Sequence, residues 1–155
     1  MDDGAGSAGR AHLTATGVAP LVSVLLPARD AAATLDASLR SLTRQRFDDW
    51  ECVLVDDGSQ DDTLARARAH AAVDARITVM AAPRDGLVAA LNRGLAACRG
   101  SLVARMDADD VMHRDRFALQ VAALRAEPDL FAVGTHVRSS PAIISPPVGA
   151  RTSAG

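Results

Sequence analysis

The chain contains no lysine; its 17 basic residues are all arginine. This excludes a catalytic lysine and a phosphate loop whose lysine grips the terminal phosphates. Tyrosine is also absent, and all aromatics together reach only 3%, so the core has to be built from Ala, Val and Leu. There are two cysteines, Cys52 and Cys98, far apart and without a Cys-x-x-Cys pair. Both are expected to be buried free thiols, with neither a disulfide nor a thiolate metal site. No apolar run approaches the length of a transmembrane helix. The N-terminus opens on acids instead of the basic-then-apolar layout of a signal peptide. The chain therefore reads as cytoplasmic, with peripheral membrane contact left open. A net charge of −2 gives no pull toward nucleic acid or an anionic membrane.

What remains is enough for one domain. The 155 residues, 48% hydrophobic and 23% charged, can bury a genuine core. Residues 1–19 are Gly-, Ala- and Thr-rich without period and read as a flexible leader. Residues 139–155 are dominated by Ser, Pro, Gly and Ala and read as a disordered tail. Between them, five short apolar runs are expected to be strands: Leu21–Leu26, Glu51–Val55, Ile77–Met80, Leu102–Met106 and Leu130–Gly134. Helical spacing fills the intervals. Leu35, Leu39 and Leu42 share one face behind a Thr34 N-cap, and a helix capped by Ser59 or Asp61 runs to about Ala72. Val88, Leu91, Leu95 and Cys98 form a stripe closed by Gly100 at C′, and Phe117, Val121 and Leu124 precede the stop at Pro128. Strands alternating with helices every ~25 to 30 residues predict an α/β fold: a mainly parallel, Rossmann-like sheet of about five strands with helices on both faces.

In such a sheet, ligands bind outside the carboxyl ends of the strands. Three of those ends carry distinctive residues: Pro27-Ala28-Arg29-Asp30, Asp56-Asp57-Gly58-Ser59 and Asp107-Ala108-Asp109-Asp110. Three acids within four residues at the end of an apolar strand suit a helix N-terminus, a divalent cation, or both, since unpaired buried charge is costly. Oxygen-only ligands suit Mg²⁺ or Mn²⁺. On an extended segment Asp107 and Asp109 would project to the same side. Facing acids would also repel unless a cation or donors offset them. Asp61 and Asp62 read as helix-start residues. Asp110 reads equally as a turn cap or as support for a neighbouring ligand, and Asn92 equally as local packing or site. His113 and His136 are isolated and are not expected to be metal ligands.

The sequence elements Val22-Ser23-Val24-Leu25-Leu26-Pro27, Val55-Asp56-Asp57-Gly58-Ser59-Gln60-Asp61-Asp62-Thr63, Ala90-Leu91-Asn92-Arg93-Gly94 and Met106-Asp107-Ala108-Asp109-Asp110, with Gln45-Arg46-Phe47 between, resemble family 2 glycosyltransferases of the GT-A fold. So does the later segment from Gln120 to Thr135. The resemblance covers about residues 21 to 138, within an expected domain of 20–138. It implies binding of a nucleotide-diphosphate sugar of UDP, GDP or dTDP type and inverting transfer of the sugar to a saccharide, lipid or protein acceptor. Pro27, Ala28, Arg29 and Asp57 would form the nucleoside pocket, with Asp57 on the base. Asp107 and Ala108 would lie by the ribose. In this DXD motif, Asp109 with Asp107 would hold Mg²⁺ or Mn²⁺ against the diphosphate. Without lysine, the metal and Arg84 or Arg93 would offset the leaving group's charge.

The chain departs from that family in places. Arg29 stands where an aromatic is common, and Asp30 where Asn is common. Arg114 falls where a Pro usually follows the acidic triplet. No Asp or Glu follows Asp129, although the family's general base belongs to a second half. The expectation is a donor-binding half-domain from a truncated or frame-shifted gene, with an exposed edge strand. Its catalytic base is unassigned, and its alternative identity is an inactive remnant or donor-binding module. A phospho-receiver would also pair Asp56-Asp57 with a five-strand pattern, but such domains rely on a lysine this chain lacks.

Overall fold

The computed structural model describes residues 18–135; His136 and almost all of the expected leader and tail lie outside them. Its elements alternate along the chain: β1 (Val22–Ala28), α1 (Leu35–Thr43), β2 (Trp50–Asp57), α2 (Thr63–Val73), β3 (Ile77–Ala82), α3 (Leu87–Ala97), β4 (Leu102–Arg105) and α4 (Arg116–Ala126). The four strands form one parallel sheet in the order β3-β2-β1-β4. The chain therefore steps outward twice from β1 and then reverses, placing β4 on β1's other side. Right-handed crossovers in both directions put their helices on opposite faces. The buried clusters reflect this. Val24, Leu26 and Leu54 pack with Leu35, Leu39 and Leu42 of α1, Ala67 of α2 and Phe117 of α4. Val53 and Val55 pack on the other face against Ala90 of α3. β1 and β2 are buried along their whole length, as their unbroken apolar runs require in a sheet covered on both sides.

Three expectations need correcting. Leu130–Gly134 is not a strand. Phe131, Ala132 and Val133 instead wall a groove of about 340 Å³ beside β4 and α4, and Phe131 is fully exposed. A strand needs a ladder partner, and among the described residues this segment is joined to the fold by little more than the Gln120 amide donating to the Val133 carbonyl at 3.5 Å. The expected stripe on α3 is also wrong, since Val88 and Leu95 are largely exposed. The buried face is Ala90 and Gly94, because α3 lies too close to the sheet for larger side chains. A Cβ on Gly94 would meet Leu25 Cδ1 at 2.3 Å and Val55 Cγ2 at 2.9 Å. Gly100 is not a left-handed C′ residue; it lets the chain press against β1, where a Cβ would come within 2.6 Å of the Ser23 backbone nitrogen.

The thiols are free, Cys52 buried and Cys98 half-buried. Thr34 sits at the N-cap of α1, but its hydroxyl donates to the Ala31 carbonyl and caps nothing.

At the amino edge of the sheet a polar knot ties three segments together. The Ser23 hydroxyl donates to Glu51 Oε1 at 2.7 Å and accepts the Gly100 N–H at 2.7 Å. Glu51 takes the Arg99 backbone N–H at 2.8 Å and its Nε at 2.8 Å. Burial alone would raise the Glu51 carboxyl, but the donors from Arg99 and Ser23 outweigh it and hold the group below its ordinary value. A carboxylate whose folded value is depressed stabilises the fold above its unfolded value and loses that contribution as pH falls through the folded one. Wild-type stability to urea is therefore expected to decline as pH drops below 4.5, and less steeply in Glu51→Gln. Parallel declines in the two proteins would remove Glu51 from the acid response. Gly100→Ala forces a Cβ against backbone that cannot move aside, and is expected to cost about 1–3 kcal/mol in the same urea experiment.

Candidate functional site

The carboxyl ends of β1 and β2 open beside the start of α3, and there Pro27, Ala28, Arg29 and Asp57 line a pocket of about 130 Å³ with Leu87 and Ala90. The four residues expected in a nucleoside pocket are thus brought together. Successive strand residues point to opposite faces, so of the Asp56-Asp57 pair only Asp57 turns to the α3 side. Asp56 is buried on the other face, where one of its oxygens accepts the Ser59 N–H at 3.3 Å. Leu87 and Ala90 were not foreseen as pocket residues. Their nearest sequence signal is position, since they fall in the first turns of the helix after β3.

Asp57 is almost wholly buried, at 3% exposure, and its charge is met by neighbours. Oδ1 accepts the backbone N–H groups of Asp85 at 2.9 Å and Gly86 at 3.0 Å, and Oδ2 accepts that of Gly86 at 3.1 Å. Gly86 is the N-cap residue of α3, so the carboxylate sits where the helix dipole favours negative charge. The Arg29 guanidinium lies 3.6 Å from Asp57 Oδ2, close enough for ion pairing and beyond a hydrogen bond.

The turn after β1 is stitched to the turn after β2. Asp30 takes a left-handed backbone (φ 47°), a conformation Asp tolerates better than most residues. Its N–H donates to Ser59 Oγ at 3.0 Å, and its Oδ1 accepts the Gln60 N–H at 2.8 Å. The Ala31 N–H donates to Thr63 Oγ1 at 2.7 Å, and the Ala32 N–H to Asp61 Oδ2 at 3.0 Å. Asp61 also accepts the Thr63 hydroxyl and the Thr63 N–H, the latter at 2.9 Å, so it is the helix-start residue expected of it; the Thr63 hydroxyl first, and then the backbone N–H groups, hold its carboxyl below the ordinary range. Asp62 occupies the N-cap position of α2 without a side-chain cap.

The acids after β4 lie outside that pocket's lining. Residues 108 and 109 form a turn, so the same-side argument from an extended chain does not hold. Asp107 Oδ1 accepts from Arg105 at 2.8 Å, and Asp110 Oδ2 accepts the Asp107 N–H at 3.2 Å. Asp110 is thus the cap of its own turn. The Ala108 side chain is buried in the main core, which leaves only its backbone for a ligand. Asp109 is exposed, and among the described residues its carboxylate makes no hydrogen bond. No group of three or more His, Cys, Asp or Glu suited to a metal ion occurs among the described residues. The strand-end acids do not crowd together; each has donors of its own except Asp109.

Other residues singled out in the sequence lie outside the lining of the small pocket. Arg93 is tied to Asp85. Arg84 is exposed, with its backbone nitrogen against Gly58. Asn92 is exposed on α3, and His113 is exposed with its ring accepting the Asp115 N–H at 3.3 Å. Gln45 bridges α1 to the start of α4, donating to the His113 carbonyl at 2.8 Å and accepting the Phe117 N–H at 3.2 Å. No helix among the described residues is long and apolar enough to cross a membrane.

Comparison with known proteins fits this architecture. The family model for glycosyl transferase family 2 matches residues 23–145. The O-antigen biosynthesis protein RfbC of Myxococcus xanthus is 40% identical over 114 residues, which cover 72% of this chain and 9% of that protein. The solved mannosyltransferase PcManGT from Pyrobaculum calidifontis, in complex with GDP-Man and Mn²⁺, superposes with a TM-score of 0.65 at 30% identity, over 72% of this chain and 34% of the other. Staphylococcus aureus TarS residues 1–349, in complex with UDP-GlcNAc, gives a TM-score of 0.63 at 25% identity, over 68% and 31%. The chain thus spans about a third of the length of these solved proteins. With the family model matching most of its length and the same parallel sheet beneath it, this chain belongs to glycosyl transferase family 2.

Proposed function

We propose that this chain carries the donor-binding half of a sugar transfer: it binds a nucleotide-diphosphate sugar at the carboxyl edge of its sheet, within a domain of residues 20–138. The observation that carries this reading is the pocket formed by Pro27, Ala28, Arg29 and Asp57, with a buried carboxylate already held in place at the start of α3. The nucleoside enters that pocket with its base toward Asp57. The diphosphate extends toward the turn after β4, past the ribose near Asp107 and Ala108.

Asp109, with the free oxygen of Asp107, fits a hard cation. Both offer only oxygen, and Asp109 is exposed with no competing hydrogen bond among the described residues. Two carboxylates do not make a cage, and Mg²⁺ or Mn²⁺ at such a site completes its shell with water and phosphate oxygens. A bound divalent ion supplies Lewis-acid stabilisation to the departing diphosphate. The chain's own residues fix the nucleoside and hold the donor in one orientation. That PcManGT was solved with GDP-Man and Mn²⁺ supports both the donor class and the metal.

Transfer with inversion needs a base for the acceptor hydroxyl. Of the acids near the pocket, Asp30, Asp57 and Asp61 are held by backbone donors, and Asp107 and Asp109 serve the metal. This favours a second reading, a donor-binding module whose base and acceptor site, saccharide, lipid or protein, belong to another part of the enzyme. Two free thiols suit a cytoplasmic setting, where they stay reduced.

Calorimetric titration of UDP and of GDP into the protein, with and without Mn²⁺, tests the reading. Binding of at least one nucleotide is expected to tighten about tenfold with metal, a difference of roughly 1.4 kcal/mol. Asp109→Ala is expected to abolish the metal's effect while leaving the circular dichroism spectrum unchanged. Absence of binding by either nucleotide to well-folded protein would sink the donor-site reading.

A further inference from the structure

We infer that Ser41 and Gln45 are positioning residues for the turn that carries Asp107 and Asp109: they tie down the backbone beyond these acids, so that the carboxylates meet a divalent ion already in place. The inference rests on the donor-site reading above, with its metal, and deepens it.

The acids lie in a stretch with no regular structure of its own. β4 ends at Arg105 and α4 begins at Arg116, with neither helix nor strand between. The backbone of such a stretch has to find its partners elsewhere, and here α1 and the turn after it supply them. Ser38 and Ser41 are buried on α1, and Gln45 is buried just beyond its end. The Ser38 hydroxyl donates to the Asp107 carbonyl at 3.3 Å. The Ser41 hydroxyl gives its proton to the Ser38 carbonyl at 2.8 Å, which leaves its oxygen to accept the Met112 N–H at 3.0 Å. The Gln45 amide donates to the His113 carbonyl at 2.8 Å and accepts the Phe117 N–H at 3.2 Å. The Arg46 N–H adds a bond to the Arg114 carbonyl at 2.9 Å. Among the described residues, every side-chain hydrogen bond that Ser38, Ser41 and Gln45 make beyond α1 goes to the stretch from Asp107 to Phe117.

These ties bracket the acids. On one side the Asp107 carbonyl is fixed by Ser38 and by the Asp110 N–H at 3.1 Å; on the other the Met112 N–H is fixed by Ser41. Met106, Ala108 and Met112 drop into the core around them, while Asp109 stays exposed. The backbone of Asp109 is thus held from both sides and its carboxylate is left free. A ligand group mounted that way loses little freedom when the ion arrives, because its ordering is completed on folding. A purely structural role would satisfy the same bonds, since buried polar groups are ordinarily partnered; the two roles differ in what a variant loses. Removing the Ser41 oxygen frees the Met112 N–H, and removing the Gln45 amide frees two backbone groups of the same stretch. Neither residue lines the small pocket, and Asp57 is held by separate bonds from Asp85 and Gly86. Loss of positioning therefore reaches the metal's contribution and spares the nucleoside's.

The test titrates UDP and GDP calorimetrically into the full chain, with and without Mn²⁺, for wild type, Ser41→Ala, Gln45→Ala and Glu51→Gln. Groups that orient metal ligands typically carry about ten- to a hundredfold in metal affinity. The tightening by Mn²⁺ is therefore expected to shrink from about tenfold to about twofold or less in Ser41→Ala and Gln45→Ala, with affinity in the absence of metal within about twofold of wild type. Glu51→Gln loosens the opposite edge of the sheet and is expected to keep the whole metal effect, which separates lost positioning from lost stability. If Gln45→Ala loses its circular dichroism spectrum, Ser41→Ala decides alone. In the wild type, with no variant or ligand, the Met112 and Phe117 amides are expected to exchange hydrogen at least about a hundredfold more slowly than open chain. Open-chain exchange at both would overturn the inference. A full Mn²⁺ effect in one variant removes that residue from it, and in both overturns it, as does an equal loss in Glu51→Gln; each leaves the donor-site reading standing. Nucleotide binding by wild type that Mn²⁺ does not tighten overturns the metal and this inference together. Absence of binding by either nucleotide overturns the donor-site reading as well.

Discussion

A carboxylate taken out of water has to be met by donors, and at Asp57 the fold supplies them from the turn that starts α3. That single arrangement fixes several things together. It ends β2, aligns the first turn of α3 with the sheet edge, and leaves the small pocket between them. The cost of burying the charge is offset by the helix N-terminus, by backbone N–H groups and by the nearby Arg29. An apolar residue at this position would strand those N–H groups without a partner. The pocket is thus a by-product of satisfying a buried acid, and its chemical character follows from which lone pairs that acid has left.

The reversal of the sheet at β1 is the second constraint. Two crossovers carry the chain outward on one face; the third must pass beneath to reach β1's free side, and it does so in contact with Leu25 and Val55. The close approach of α3 explains why its inner residues are Ala90 and Gly94. The same closeness brings Leu87 and Ala90 within reach of anything bound at the strand ends. The crevice created by the reversal is the place where parallel sheets of this kind hold their ligands.

Much of this was legible in the sequence because parallel strands buried on both faces spell themselves out as apolar runs. β1, β2 and β3 lie where those runs are, and α1 shows its leucine face openly. The four residues of the small pocket came from the resemblance, and the sheet then assembled them. What could not be read was governed by contacts across the chain. The stripe on α3 was misjudged because a hydrophobic pattern does not say how near a helix will sit to its sheet, and proximity here favoured glycine over leucine. The run at Leu130–Gly134 had strand-like composition but no strand to pair with. The turn at Ala108–Asp109 defeated an alternation argument that holds only for extended chain. The roles of Asp30, Ser59 and Gln45 as stitches depend on partners about 30 to 70 residues away, and local sequence carries no sign of them.

The ion pairs have a property that follows from the missing lysines and tyrosines. In every pair among the described residues the cation is arginine or histidine. Guanidinium keeps its proton far above neutrality, so the Arg99–Glu51 pair and the pair between Arg66 and Asp36 of α1 are lost only as pH falls, whereas the His70–Asp36 contact is an ion pair only while the imidazole is protonated. The remaining side chains able to lose a proton in alkali are the two thiols, and burial pushes both upward. The arginine pairs of this fold are therefore one-sided: sensitive to acid and nearly indifferent to alkali.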